Sequence, residues 1–451
     1  MDQNLTSSIT KLQSHVSGHV ITTSDASYDH ARQTFGDKTS RPLIIVQCQQ
    51  EDDVVQAVHF AREHDLAVSV RSGGHGSAEL SHSDGGVVID LQSMNAVRII
   101  DEAAHTIRIE SGATWGKVAQ ELSDHKLAVT SGDTPSVGVG GLTLGGGFGW
   151  MVRTHGLSID SLIAIDMVDG KGQKLRASEQ ENPELFWAIR GGGGGFGIAT
   201  AFEFRAYPCE TIYGGHISYP AGNRLTILQK WAEYMRSAPD ELNTMVSLLP
   251  GFGPDATPQI TIGVCYTGDD ETAAQRVIQP LRELGDVPLS DDVTRKPYPA
   301  MLASVRDASD SRVLVRNGFV RELTPDVLRI IATHFGIPGS SPLEIRSLGG
   351  AFSRVPADST AFAYRDSEAL IAMPSFTPAT VPSEQAKTVA DEAWAPLKPH
   401  MVGLYANFLT DMHPDSITQA YPPDTYSRLL KAKKTYDPDN ILHLNASVRP
   451  E

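Results

Sequence analysis

The sequence predicts an α+β protein built as two domains, and three observations lead there. At 451 residues, with 40% apolar and 20% charged side chains, the chain is globular and too long for one ordinary hydrophobic core. Residues 43 to about 208 alternate strand and helix signals and hold three glycine-rich segments. Beyond Pro208 the glycine clusters thin out and longer helices alternate with strands, which puts a boundary near residue 210.

The first element is LIIVQCQ at 43–49, an apolar run of strand length. EDDVVQAVHFAREHD follows, with Asp52 and Asp53 in a first helical turn and Val54, Val55, Val58 and Ala61 on one face. AVSVR resumes strand character and runs straight into Arg71-Ser72-Gly73-Gly74-His75-Gly76. Strands are predicted over 86–91 and 105–110, and a helix over 114–126. After a second glycine-rich segment at 138–149 (GVGGLTLGGGFG), a strand pair turns at Asp169-Gly170-Lys171-Gly172. Asn182-Pro183 predicts a helix start with a capping side chain and a proline in first position. That helix, PELFWAIR, ends at five glycines, 191–195, and ATAFEFRAY then alternates as a half-buried strand. In the second half helices fit 222–236, 270–284, 324–335 (Thr324 as cap) and 383–396, with strands near 259–266, 343–348, 360–364 and 369–373.

Composition excludes several classes of partner. The 38 basic against 54 acidic side chains leave a net charge of -16 without a basic tract, which argues against nucleic acid and anionic membrane surfaces. Cys48, Cys209 and Cys265 are odd in number and far apart, so neither a disulfide framework nor a zinc site is expected, and a reducing compartment suits them. The first thirty residues lack a secretory signal's basic start and apolar core, and no apolar run reaches membrane-spanning length. A cytoplasmic protein is expected, and the sequons at Asn4 and Asn445 are read as chance matches.

The glycines carry the chemistry. Gly192-x-Gly194-x-x-Gly197 formally matches the dinucleotide fingerprint, but that pattern needs a strand before it and a helix after it, and here the order is reversed. Taken singly, such glycines serve tight turns. Taken together, three glycine loops at element ends can offer bare backbone N–H groups to a pyrophosphate and let a flat ring approach. His75 stands in the first loop between Gly74 and Gly76 with little bulk to shield its imidazole. A lone histidine is ordinarily a surface or hydrogen-bonded core residue; the surrounding motif singles this one out.

RSGGHG at 71–76, GGVVIDLQSMNAV at 85–97, GDTPSVGVGGLTLGGGFGWMVRTHGLSID at 132–160, NPELFWAIRGGGGGFGIATAFEF at 182–204 and YDPDNILHLNASVRP at 436–450 resemble one family in this order. It is that of the FAD-linked oxidases of the vanillyl-alcohol-oxidase type fold, in the berberine-bridge-enzyme-like and 6-hydroxynicotine-oxidase-like branch. The resemblance implies an FAD-binding domain of residues 1–210 completed by 411–451, and a substrate domain of residues 211–410 with an antiparallel sheet and helices on one side. It implies that His75 bonds to the flavin 8α-methyl carbon, which is reasonable because neutral imidazole is a nucleophile. Many relatives add a second bond from a cysteine where this chain has Thr134, so a single bond is expected. Further cofactor contacts are implied from Arg71, Ser72, Gly73, Gly74, Gly76, Pro135, Val137, Gly138, Gly140, Gly141 and Leu142. The same holds for Gly145, Gly146, Gly147, Phe148, Gly149, His155, Gly197, Ile198 and Asn407.

Tyr405-Ala406-Asn407-Phe408 resembles the family's Y-x-N-Y segment, on a strand passing under the flavin, and gives Tyr405 and Asn407 as catalytic candidates. Phe408 and Phe148 stand where alcohol-oxidising relatives often place tyrosines, and a phenyl ring cannot take a hydroxyl proton. Tyr405 is the leading replacement base, followed by Glu344, Tyr364 and Arg365. An amine substrate needs no such base, since its own lone pair assists hydride loss, and the two phenylalanines suit a flat aromatic molecule. The expected activity is oxidation of a small alcohol or amine with oxygen as acceptor and no metal. A flavin dehydrogenase using another acceptor and a non-catalytic nucleotide-binding module are the alternatives, and for the module His75 would be a needless nucleophile.

Overall fold

The computed structural model describes residues 3–35, 40–76, 84–251, 256–302, 311–378, 380–410, 414–444 and 448. The first apolar run forms the buried strand Ile44–Gln47, parallel to Val87–Asp90, which pairs on its other side, again in parallel, with Val68–Arg71. His19–Thr22 closes this sheet as an antiparallel edge. Parallel strands need a crossover, and the helix Glu51–Glu63 supplies the one from Ile44–Gln47 to Val68–Arg71, its buried Val54, Ala57, Val58 and Ala61 packing with Ile44, Val46, Val68 and Val87. The consequence for the site is that the strand Val68–Arg71 delivers the first glycine loop at its carboxyl end.

A second sheet is antiparallel in the order Val97–Asp101, Thr106–Glu110, Ile198–Arg205, Leu162–Val168, Lys174–Ser178. Its central strand Ile198–Arg205 does not alternate as predicted; Ile198 to Phe202 are all buried, because the middle strand is covered on both faces. Over it lie the helices Trp115–Ser123 and Pro183–Ile189.

A third sheet runs, antiparallel throughout, Ser290–Asp291, Ile212–Pro220, Gln259–Tyr266, Leu242–Leu249, Leu343–Ser347, Ala369–Pro378, Ser311–Val320. The helices Arg224–Ser237, Glu271–Arg282, Pro325–His334 and Ser383–Trp394 pack on one face. Strand alternation then decides what the opposite face carries: Leu343, Ile345 and Leu314 go under the helices, while Arg346, Val313 and Val315 face a cleft. After this sheet the helix Pro423–Tyr436 returns to the first half, where Leu429 and Ala432 join the core of Phe186 and Trp187.

Several predicted details differ. Residues 360–364 form no strand; the run is apolar because Ala361 and Phe362 are buried, and the Ala361 N–H donates to the Trp187 carbonyl at 3.3 Å. Asn182 does not cap its helix, since it adopts φ 49° and its side chain instead donates to the Arg176 carbonyl at 2.7 Å. Thr324 does cap, accepting the Val327 N–H at 3.3 Å. The glycine segment after Gly138 contains a short helix, Val139–Leu144, and Ala406–Phe408 is a single tight turn rather than part of a strand. The strands Ile212–Pro220, Leu242–Leu249 and Ser311–Val320 were outside the predicted set. Cys48 and Cys265 are buried, Cys209 half-buried, and all three are free thiols. Among the described residues no helix is long and apolar enough to cross a membrane, and Asn445 lies outside them.

Candidate active site

The first two glycine segments lock backbone to backbone. A Cβ on Gly73 would stand 2.2 Å from the Gly138 nitrogen, and one on Gly138 would stand 2.1 Å from that of Gly73, so only glycine lets the loops meet. Ser72 pins the contact, its hydroxyl donating to the Ser111 carbonyl and accepting the Gly140 N–H at 3.3 Å. Arg71 anchors the loop from behind. Only 4% exposed, its guanidinium bonds Asp90 at 2.6 Å and the Ala31 carbonyl, and it does not line the cleft.

His75 projects from this anchored loop, half-buried, with Nε2 2.9 Å from Ser136 Oγ. Its ring stacks on Phe35 at 4.6 Å between centroids and 17° between planes. Burial lowers its pKa, so the imidazole is neutral at neutral pH and keeps a lone pair.

The cleft before it has a volume of about 440 Å³, within the usual range of cofactor and small-molecule sites. Ser72, Gly73, Gly74, His75 and Gly76 form one wall, and Thr134, Val137, Gly138, Gly140, Gly141 and Leu142 form the next. Gly197 and Ile198 line it from the second sheet, and Phe148, Tyr405, Asn407 and Phe408 close one end. Other predicted residues stand behind this surface. The Pro135 carbonyl accepts the Gly116 N–H at 2.8 Å, and Gly145, where a Cβ would meet the Asn407 amide at 2.1 Å, makes room for that side chain. Gly146 packs on Phe362, Gly147 bonds Tyr405, and Gly149 lies against the Ser131 carbonyl. His155 stacks on Tyr207 at 3.7 Å and 3°, and burial lowers its pKa to about 4.

Sequence reasoning missed Phe35, Leu91, Ser111, Asp133, Gly193, Gly194, Val313, Val315 and Arg346, all of which line the cleft. Gly193 and Gly194 sat in plain view in the third glycine run. The two valines belong to an unpredicted strand, and Arg346 and Asp133 acquire meaning only by meeting. Arg346 Nη1 is 2.6 Å from Asp133 and Nη2 3.0 Å from Glu344, with the guanidinium carbon 5.6 Å from the Phe408 ring centroid.

Tyr405 is 3% exposed, and its hydroxyl accepts the Gly147 N–H at 3.2 Å and an Asn407 Nδ2–H at 3.0 Å. Burial pushes its pKa up to about 12 against the opposing pull of these two bonds. Burial thus keeps the group a protonated phenol at neutral pH, a hydrogen-bond donor with little phenolate to act as a base. Asn407 Nδ2 also reaches the carbonyls of Gly141 (3.2 Å) and Leu142 (3.0 Å), tying this turn to the second glycine segment. Phe148 and Phe408 meet the Tyr405 ring edge-on at 4.8 and 5.0 Å. Tyr364 donates to the Gln419 carbonyl at 2.6 Å and Arg365 clamps Asp160 at 2.7 and 2.8 Å, both outside the lining, while Glu344 adjoins it through Arg346.

These features fit a flat-ringed dinucleotide. A Cβ on Gly141 would meet nothing within 4 Å, leaving bare backbone beside the cleft, and the buried Ser111 hydroxyl on its wall has no partner among the described residues. No cluster able to hold a metal ion occurs among the described residues.

Comparison with known proteins agrees. Residues 42–178 match an FAD binding domain and 404–449 a segment described as berberine and berberine like. An FAD-linked oxidoreductase of Dictyostelium discoideum is 31% identical over 423 residues, 92% of this chain and 90% of that protein. The (R)-6-hydroxynicotine oxidase of Paenarthrobacter nicotinovorans is 30% identical over 460 residues, 97% of each chain. The crystal structure of 6-hydroxy-D-nicotine oxidase from Arthrobacter nicotinovorans superposes with a TM-score of 0.87 at 28% identity, covering 97% of this chain and 98% of the other. A berberine-bridge-enzyme-like protein of Physcomitrella patens shares the fold at a TM-score of 0.88 and 20% identity, covering 98% and 99%.

Proposed function

Because the chain belongs to the FAD-linked oxidoreductases, in the branch with a berberine-like C-terminal segment, we propose an oxidase that holds FAD through one bond from His75 and removes hydride from a small, flat amine. Residues 1–210 with 411–451 would form the FAD domain and 211–410 the substrate domain, a division supported by a cleft lined from both sides. The covalent link is supported by a neutral, half-buried imidazole at the cleft wall, and its singleness by a hydroxyl, Thr134, in place of a thiol. Oxygen as acceptor is supported by the relatives named as oxidases.

FAD, when bound, supplies the two-electron acceptor. The chain's own groups supply everything else. Gly138 and Gly141 offer backbone N–H groups, and Asn407 keeps the Gly141 and Leu142 carbonyls in place. Tyr405, its oxygen held by two N–H donors, can point its own proton toward an acceptor in the cleft. Phe148, Phe408, Val313 and Val315 exclude water and match a flat apolar body.

The observation that carries the amine reading is the burial of the Tyr405 hydroxyl, which keeps it protonated beside two phenyl rings. Phe148 and Phe408 cannot accept a proton, and Asp133 and Glu344 are held by Arg346, so no free base lies beside the aromatic end of the described cleft. A neutral amine needs none. Anaerobic stopped-flow reduction of the bound flavin, run with panels of amines and alcohols, tests this. The expected result is reduction by an amine, with a pH profile following the substrate's own ammonium pKa and less than about a tenfold loss in Tyr405→Phe. Fast reduction by an alcohol, slowed roughly 10²- to 10⁴-fold in Tyr405→Phe, would establish the alcohol reading with Tyr405 as base.

A further inference from the structure

The two nitrogens of His75 have different surroundings. Nε2 is engaged by Ser136 Oγ at 2.9 Å, and Nδ1 has no hydrogen-bond partner among the described residues. One ring face is covered by Phe35, stacked at 4.6 Å, whose backbone N–H is itself fastened to the Gly74 carbonyl at 3.0 Å. Ring rotation is thereby restrained by a stack and a hydrogen bond acting at different points of the imidazole. Ser136 is exposed, so its hydroxyl connects Nε2 with solvent.

We propose that Ser136 and Phe35 are the positioning residues for covalent flavin attachment, and that Ser136, by holding Nε2, directs the bond to Nδ1. The inference rests on the covalent reading given above. A neutral imidazole carries one proton and one lone pair. With Ser136 Oγ accepting, the proton sits on Nε2 and the lone pair on Nδ1 is free to attack. The C–N bond forms between Nδ1 and the 8α-methyl carbon as one C–H bond at that carbon breaks. The two protons lost, from that C–H and from Nε2, balance the electron pair left on the ring system, which molecular oxygen takes up as hydrogen peroxide. Attack makes the Nε2 proton more acidic, and Ser136 is placed to pass it to water. Afterwards Nε2 holds a lone pair and accepts from the same hydroxyl, so one contact serves before and after. The lowered pKa of His75 keeps the attacking form populated at neutral pH.

The test is the fraction of flavin retained by acid-precipitated protein as a function of time after FAD is supplied, together with NMR of the flavinylated peptide to identify the bonded nitrogen. Ser136→Ala should slow attachment about tenfold, the effect of one ordinary hydrogen bond on a rate, and yield a mixture of Nδ1 and Nε2 products. Ser136→Thr, which keeps the hydroxyl, should restore both rate and regiochemistry, and Phe35→Leu should slow attachment when measured in protein already saturated with noncovalent FAD. A wild-type bond on Nε2, or a Ser136→Ala protein that attaches flavin at the wild-type rate, would overturn this proposal alone. A wild-type protein that releases all its flavin to acid would overturn the covalent reading and this proposal with it.

Discussion

At the scale of single residues, the site is decided by which atoms are already occupied. Arg71 and His75 stand four positions apart in one loop, yet the first is turned inward onto Asp90 at 2.6 Å and the second faces the cleft. Tyr405 likewise looks like a base in the sequence and is a buried, protonated phenol in the fold. Among the described residues lining the cleft, His75 is the imidazole that combines nucleophile character, neutrality and access, which leads to a direct expectation. His75→Ala should leave all FAD extractable by acid, whereas Thr134→Ala should retain it in the precipitate, read by absorbance of the two fractions and by peptide mass. Flavin mass on any residue other than His75 would end the covalent assignment.

At the scale of elements, the cleft depends on how short segments are held by their neighbours. The helix Val152–His155 sits beside the strand Tyr207–Pro208 through the stack of His155 on Tyr207 at 3.7 Å. Burial lowers the His155 pKa from 6.5 to about 4, so the unfolded chain binds this proton more readily than the folded one between those values. Stability contributed by the neutral ring is therefore complete above about 6.5 and falls as pH drops toward 4. His155→Phe, which keeps a stacking ring without a titrating nitrogen, should flatten the fall in Tm between pH 7 and pH 5. An unchanged slope would mean that other groups govern the acid limb. Helix patterns of this size were largely readable beforehand, as with Glu51–Glu63 and the Thr324 cap, because period and capping are local properties. The missed strands, Leu242–Leu249 and Ser311–Val320, belong to the large sheet, where Leu343–Ser347 and Ala369–Pro378 reach them from far along the chain.

At the scale of the whole molecule, the C-terminal segment completes what the first two hundred residues begin. Lys433 is fully buried, donating to the Gly195 carbonyl at 2.7 Å and to Asp437 at 2.7 Å, while Asp437 accepts the backbone N–H groups of Ile441 and Leu442 at 3.0 Å. Removing one partner of such a pair leaves the other charge buried and uncompensated, so Lys433→Met should lower stability by about 3–5 kcal/mol in denaturant unfolding. A loss under about 1 kcal/mol would show that the pair does not fasten the segment to the third glycine run. The sequence by itself determined the α+β class, the three glycine loops, the place of His75 within the first of them and the replacement of two phenols by Phe148 and Phe408, because each is a matter of residue type and local spacing. Only the tertiary structure decided that Arg71 turns away from the cleft, that Arg346 meets Asp133, and that Tyr405 is buried with two N–H donors on its hydroxyl. Those outcomes depend on which distant backbone and side-chain atoms arrive within hydrogen-bond reach, and no pattern along the chain encodes that distance.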